Sequence, residues 1–122
     1  MENVYKFLKE CGPFFVSTIN GEKPATRPFG AVIKIEDNLY ITTSSVKNVY
    51  NQIKKNSNIQ IVALKNGTKN WLRIDGKAEE IDNLKLKQKM FDEYPILKER
   101  FSGINDKLFV LIKVKVLHYD FY

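Results

Sequence analysis

Two short stretches concentrate the residue types that recognise anions. Arg27-Pro28-Phe29 puts a planar guanidinium inside a strand-like segment. Thr42-Thr43-Ser44-Ser45-Val46-Lys47-Asn48 puts hydroxyls and an ammonium where a strand runs into a helix. The first turn of a helix offers N–H groups with no intrahelical acceptor, at the positive end of its dipole. Arginine adds a two-pronged donor and lysine a compact charge. If the strand carrying Arg27 pairs in register with the strand ending at Thr43, both cations reach one place, and the chemistry there is phosphate recognition. The bland alternative is a serine cap followed by a solvated lysine, and spacing alone leaves both open. Pro28 removes a ladder donor and so belongs at an edge or bulge. Backbone groups beside the anion site would then be free to meet a planar ring, with Phe29 either its neighbour or a core residue.

Other chemistries find little support. His118, the sole histidine, lies in the last strand with no obvious acid partner. Cys11 ends a short helix rather than beginning one, so nothing lowers its thiol pKa, and it reads as a small half-buried residue. Those two cannot supply four soft ligands for structural zinc. Asp75, Glu79, Glu80 and Asp82 form a loose run without a spaced carboxylate pair. No Gly-x-Gly-x-x-Gly or Gly-Lys-Ser/Thr loop occurs. No side-chain acid, base or nucleophile is assigned.

The elements that must position the two stretches follow from periodicity. Val4, Phe7 and Leu8 predict a helix over Asn3–Glu10, ended by Gly12-Pro13. Strands are predicted over Phe14–Ile19, Pro24–Ile35, Leu39–Thr43, Ile59–Leu64, Trp71–Ile81 and Leu108–Tyr122. Asn20-Gly21 is placed at the centre of a type I′ turn, Asp37-Asn38 and Asn66-Gly67 turn the chain again, and Gly76 marks a bulge. Val46, Val49, Tyr50 and Ile53 form one helical face, capped by Ser44 or Ser45. A further helix runs from a cap at Asp82 to Tyr94, is broken by Pro95, and is followed by a turn or two over Ile96–Phe101. The expectation is a β-barrel with short helices, a six-stranded antiparallel split barrel, forming a single domain over 1–122.

The 122 residues contain 43% hydrophobic and 12% aromatic residues, enough for one folded core, and carry a net charge of +6. Nearly all the basic residues are lysine; Arg27, Arg73 and Arg100 are the only arginines, which suggests a need for a planar donor where arginine is kept. No apolar run approaches the roughly 20 residues of a membrane span, and no signal-peptide core precedes the first helix. With the lone cysteine, this leads us to expect a cytoplasmic protein without membrane contact. Lysines interleaved with Tyr40, Tyr50 and Trp71 leave one rival open, a basic barrel that binds single-stranded nucleic acid.

Three stretches carry a resemblance that covers nearly the whole chain. Phe14 to Phe29 (FFVSTINGEKPATRPF), Leu39 to Asn48 (LYITTSSVKN) and Trp71 to Glu79 (WLRIDGKAE), with the closing Leu117-His-Tyr-Asp-Phe-Tyr122, occur in the order found in the pyridoxamine 5′-phosphate oxidase-like family of FMN-binding split barrels. The sequence resembles its short stand-alone members, including those related to nitroimidazole-resistance proteins. The resemblance implies a homodimer with FMN at the subunit interface and oxidoreductase chemistry, by hydride or electron transfer, on a small-molecule substrate. It implies that Arg27 and Lys47 hold the phosphate with Thr43, Ser44 and Asn48 as neighbours. Pro28, Phe29 and Thr42 would lie along the flavin, and Trp71 would be presented by the other subunit. Haem or deazaflavin replaces FMN in some relatives, so a haem- or flavin-binding carrier or sensor without turnover is the second expectation.

Overall fold

Strand alternation resolves into one antiparallel sheet. The computed structural model describes residues 1–122. Helix α1 (Glu2–Cys11) leads to β1 (Phe14–Asn20), β2 (Lys23–Phe29), β3 (Val32–Ile35) and β4 (Asn38–Ser44). Helix α2 (Asn48–Lys55) precedes β5 (Asn58–Leu64) and β6 (Trp71–Ile81). Helix α3 (Leu84–Glu93) and a 3-10 turn (Pro95–Glu99) lead to β7 (Phe109–Phe121). The sheet order is β2-β1-β5-β6-β7-β4-β3. Its edge strands β2 and β3 are joined by Gly30-Ala31 but do not pair, so the barrel is split along that seam.

The barrel has seven strands where six were expected. The run 24–35 looks continuous in sequence but must cross the seam: β2 pairs only with β1, and β3 pairs only with β4. The expected pairing of the Arg27 strand with the Thr43 strand is therefore absent. Arg27 stands opposite Val16, and Thr42 opposite Leu111.

Local chemistry differs from expectation at three further points. The first hairpin pairs Asn20 with Lys23, so its loop is Gly21-Glu22, with positive φ at Gly21 and not at Asn20. Glycine first suits a II′ geometry, which asks for positive φ at one residue rather than two. Helix α2 is not capped by a serine side chain. Lys47 occupies the cap position, Ser44 to Lys47 close a turn, and Val46 is 74% exposed instead of lying on the helix's apolar face. Helix α3 is capped one residue later than read, by Asn83, whose Oδ1 accepts from the Leu86 N–H at 3.1 Å.

The register between β6 and β7 slips at Gly76: Asp75 faces His118 while Gly76 faces Val116. The extra residue of the bulge is thus Leu117 on β7, and Gly76 allows the close approach opposite it. A Cβ on Gly76 would lie 2.9 Å from Val114 Cγ1 and 3.0 Å from the Lys115 carbonyl oxygen. The backbone contact cannot be relieved by a rotamer. Gly76→Ala is expected to destabilise by about 1–3 kcal/mol, read as a lowered denaturant midpoint.

Two apolar clusters flank the strands. Inside the barrel, Phe14, Val16, Leu39, Ile41, Ile61 and Ile74 pack with Val4 and Leu8 of α1 and with Val49 and Ile53 of α2. On the outer side of β3, β4 and β7, Ile33, Tyr40, Phe109 and Leu111 pack under Met90, Phe91, Leu97 and Phe101. The inner cluster holds α2 against the barrel, and the outer one holds the 3-10 turn beside the seam.

Candidate functional site

Where the seam opens, the end of β2, the end of β4, the start of α2 and the 3-10 turn surround a cavity of about 760 Å³. Arg27, Pro28, Phe29, Thr42, Thr43, Ser44 and Lys47 all border it. The two cations meet at one cavity across the seam rather than through a shared strand ladder.

Arg27 extends to the inner side of the edge strand, as Val16 does on β1. Its Nη1 donates to the Val16 carbonyl (3.2 Å), the Ala25 carbonyl (3.1 Å) and Thr18 Oγ1 (2.8 Å), and its Nη2 donates to Gln52 Oε1 (2.7 Å). The Thr18 hydroxyl donates to the same Gln52 oxygen. Of the five guanidinium N–H groups, Nε–H and one Nη2–H are left for a ligand. No carboxylate pairs with this arginine. Burial pushes its pKa down from the ordinary arginine value, although arginine stays protonated in proteins.

The Lys47 side chain is exposed and makes no hydrogen bond or ion pair. The N–H groups of Asn48 and Val49, the first two helical residues, have no intrahelical acceptor. Ser44 contributes an Oγ that accepts only a long bond from the Val46 N–H, 3.4 Å. The opposite wall is apolar, from Ile96, Leu97, Phe101 and Leu108, with Arg100 as a third cation. No carboxylate lines the cavity.

Two of the residues singled out in the sequence lie elsewhere. Asn48 borders a separate polar depression with Asn20, Asn51, Gln52 and Lys55. Trp71 stacks on Tyr122 at 4.2 Å on the outer sheet face, with Arg73 over both rings. His118, read as lacking an acid partner, has one: its Nε2 lies 2.8 Å from Asp120 Oδ2, two residues on along the same face of β7. Both side chains are exposed and outside the cavity. Burial pushes the Cys11 thiol up, which opposes a nucleophilic role.

A family model for pyridoxamine 5′-phosphate oxidase matches residues 1–121. The chain belongs to the pyridoxamine 5′-phosphate oxidase-like family. Among solved structures it is similar to a NimC/NimA family protein from Clostridium acetobutylicum, with 31% identity and a TM-score of 0.87 over 93% of this chain and 81% of that one. It shares its fold with a general stress FMN/FAD binding protein from Xanthomonas citri (16% identity, TM-score 0.83, 99% of this chain and 86% of that one). The haem storage protein HutZ from Vibrio cholerae has the same fold (10% identity, TM-score 0.79, 99% and 92%). No curated protein matches the sequence.

Within this family fold, sequence reading missed the residues that hold Arg27 and those that form the apolar wall. Gln52 had a signal: it lies between Val49 and Ile53 on the buried face of α2, where a polar side chain needs a partner. Thr18 is likewise a buried polar residue on the inner face of β1. Arg100 stands out as an arginine against a lysine background. Nothing local marks Tyr94, Leu97 or Leu108 as cavity residues, because only the packing of the 3-10 turn on the outer cluster brings them there. No helix is long and apolar enough to cross a membrane.

Proposed function

We propose that this chain is an FMN-binding flavoprotein that carries out hydride or electron transfer with a small-molecule substrate, working as a homodimer in the cytoplasm. One observation carries the reading. The cavity has cations from Arg27 and Lys47, hydroxyls at Thr42, Thr43 and Ser44, no carboxylate, and an apolar wall. A phosphomonoester brings about −1.5 to −2 charge and three acceptor oxygens. Arg27 offers Nε–H and Nη2–H as a fork, Lys47 a point charge, and Ser44 with the first amides of α2 the remaining donors. Asn48 contributes its backbone N–H, since its side chain borders another depression. A flavin ring suits the apolar remainder, beside Pro28, Phe29 and Thr42. Once bound, FMN supplies the redox chemistry and the chain supplies position and electrostatics.

The outer sheet face supports the dimer. In one ladder row Pro28, Phe15, Val62, Arg73 and Asp120 follow one another across β2, β1, β5, β6 and β7, and Leu64, Trp71 and Tyr122 lie beside them. Phe15, Leu64 and Tyr122 are each about half exposed, at 47%, 57% and 49%. This apolar face begins at Pro28 on the lip of the cavity. Covering it with a second copy buries the three side chains and brings the partner's Trp71 towards the ring. A haem storage protein shares the fold, but haem iron asks for an axial His, Cys, Met or Tyr. The cavity offers only Tyr94, whose hydroxyl is held by Lys9 and by the Val32 carbonyl at 2.8 Å each.

The test is the absorption spectrum and molar mass of protein purified without added cofactor. We expect flavin bands, a mass of two chains by light scattering, and tighter binding of FMN than of riboflavin by fluorescence titration. A haem spectrum, or equal affinity for the two flavins, would sink the assignment.

A further inference from the structure

We infer that Thr18 and Gln52 form an uncharged clamp that positions Arg27 and leaves its positive charge uncompensated, so that residue 52 sets how strongly the site prefers a phosphorylated ligand. The inference rests on the flavin reading above and adds two positioning residues to it.

Three elements build the clamp. Thr18 comes from the inner face of β1, Arg27 from the edge strand β2, and Gln52 from the buried face of α2. Thr18 and Gln52 are 2% and 9% exposed. The Thr18 hydroxyl donates to Gln52 Oε1, and each of the two oxygens accepts from the guanidinium, at 2.8 and 2.7 Å. With the Val16 and Ala25 carbonyls also on Nη1, the arginine cannot swing away, and the donors left over are those of Nε and Nη2. A ligand therefore meets a fork already held in place and loses little side-chain entropy on binding.

Every acceptor in the clamp is neutral, and this is the informative feature. A half-buried arginine is costly without an opposite charge, and burial does depress its pKa. Stability alone would favour a glutamate at position 52, which could accept the same bonds and neutralise the guanidinium. That glutamate would also repel an incoming phosphate. Glutamine holds the arginine and spares its charge for the ligand.

The experiment titrates FMN, riboflavin and inorganic phosphate into cofactor-free protein carrying Gln52→Glu, Gln52→Leu or Thr18→Val. For Gln52→Glu we expect FMN affinity to fall at least about tenfold, riboflavin affinity to stay within about twofold, and the melting temperature to hold or rise. Gln52→Leu and Thr18→Val should also lower the FMN-to-riboflavin ratio, through loss of position rather than of charge. Inorganic phosphate should raise the melting temperature of the wild type and not that of Gln52→Glu. A Gln52→Glu protein that keeps the wild-type FMN-to-riboflavin ratio overturns the clamp, as does an equal loss of both flavins. If the wild type does not distinguish FMN from riboflavin, the flavin reading fails, and the phosphate arm alone then decides the clamp.

Discussion

Arg27→Met is expected to weaken FMN binding by about 10- to 100-fold while leaving the melting temperature unchanged or higher. Two opposed effects meet at this residue. Toward a phosphate, Nε–H and the free Nη2–H are charge-assisted donors, and losing such a contact costs about 1.5–3 kcal/mol. Toward the fold, the same guanidinium is a half-buried charge with no carboxylate beside it. Its bonds to Thr18, Gln52 and two carbonyls are all to neutral acceptors, and burial lowers its pKa. Methionine fills the space without the charge, and Thr18 still donates to Gln52, so the network is not orphaned. Lys47→Ala serves as the comparison. Its ammonium is exposed and unpaired, so phosphate affinity should fall less and stability should not move. Riboflavin separates the outcomes, since it lacks the phosphate. If Arg27→Met binds FMN as tightly as the wild type does, the arginine is structural. If it melts well below the wild type, the charge was stabilising and the trade-off argued here is wrong.

The same contrast shows why the site was partly legible from the sequence. Arg27, Lys47 and the hydroxyl run Thr42 to Ser44 are local signals: a cation in a strand, and donors at a strand-to-helix junction. What could not be read was how they meet. The segment 24–35 alternates as one strand, yet Gly30-Ala31 carries it across the seam between the two sheet edges. A break of two residues leaves little imprint on a period-two pattern. The clamp is harder still, since Thr18 and Gln52 are 34 residues apart and become neighbours only once α2 packs into the barrel mouth. The first turn and the α3 cap failed by a single residue, Gly21 before Glu22 instead of after Asn20, and Asn83 instead of Asp82, while the α2 cap moved from Ser44 or Ser45 to Lys47. Neighbouring residues of similar type compete for those positions, and the packing of the flanking elements chooses between them. The strands with an evident buried face, Ile59 to Leu64 and Trp71 to Ile81, came through nearly unchanged because a slip of one residue would expose their apolar side chains.

The edge position of β2 makes its support from the core the most sensitive point of the site, and Phe14→Ala is where that should show. Phe14 is fully buried, opens β1 and stands opposite Phe29 across the β1–β2 ladder, their rings 6.2 Å apart and 27° from parallel. Phe29 in turn borders the cavity two residues after Arg27. Truncating a buried phenylalanine costs about 3–5 kcal/mol, a large share of the roughly 5–15 kcal/mol that holds a domain folded. For a chain of this size the melting temperature should fall by about 10–20 °C. Because β2 is bonded to β1 alone, the loss falls on the strand that carries Arg27, Pro28 and Phe29. FMN affinity should therefore drop at temperatures where the protein is still folded. Ile74→Ala is the control: Ile74 is as deeply buried, but sits mid-sheet on β6 between two bonded neighbours and does not line the cavity. It should lower the melting temperature comparably and leave FMN affinity near that of the wild type. Equal losses of FMN binding in the two variants would mean that general instability, and not the anchoring of the edge strand, governs the site.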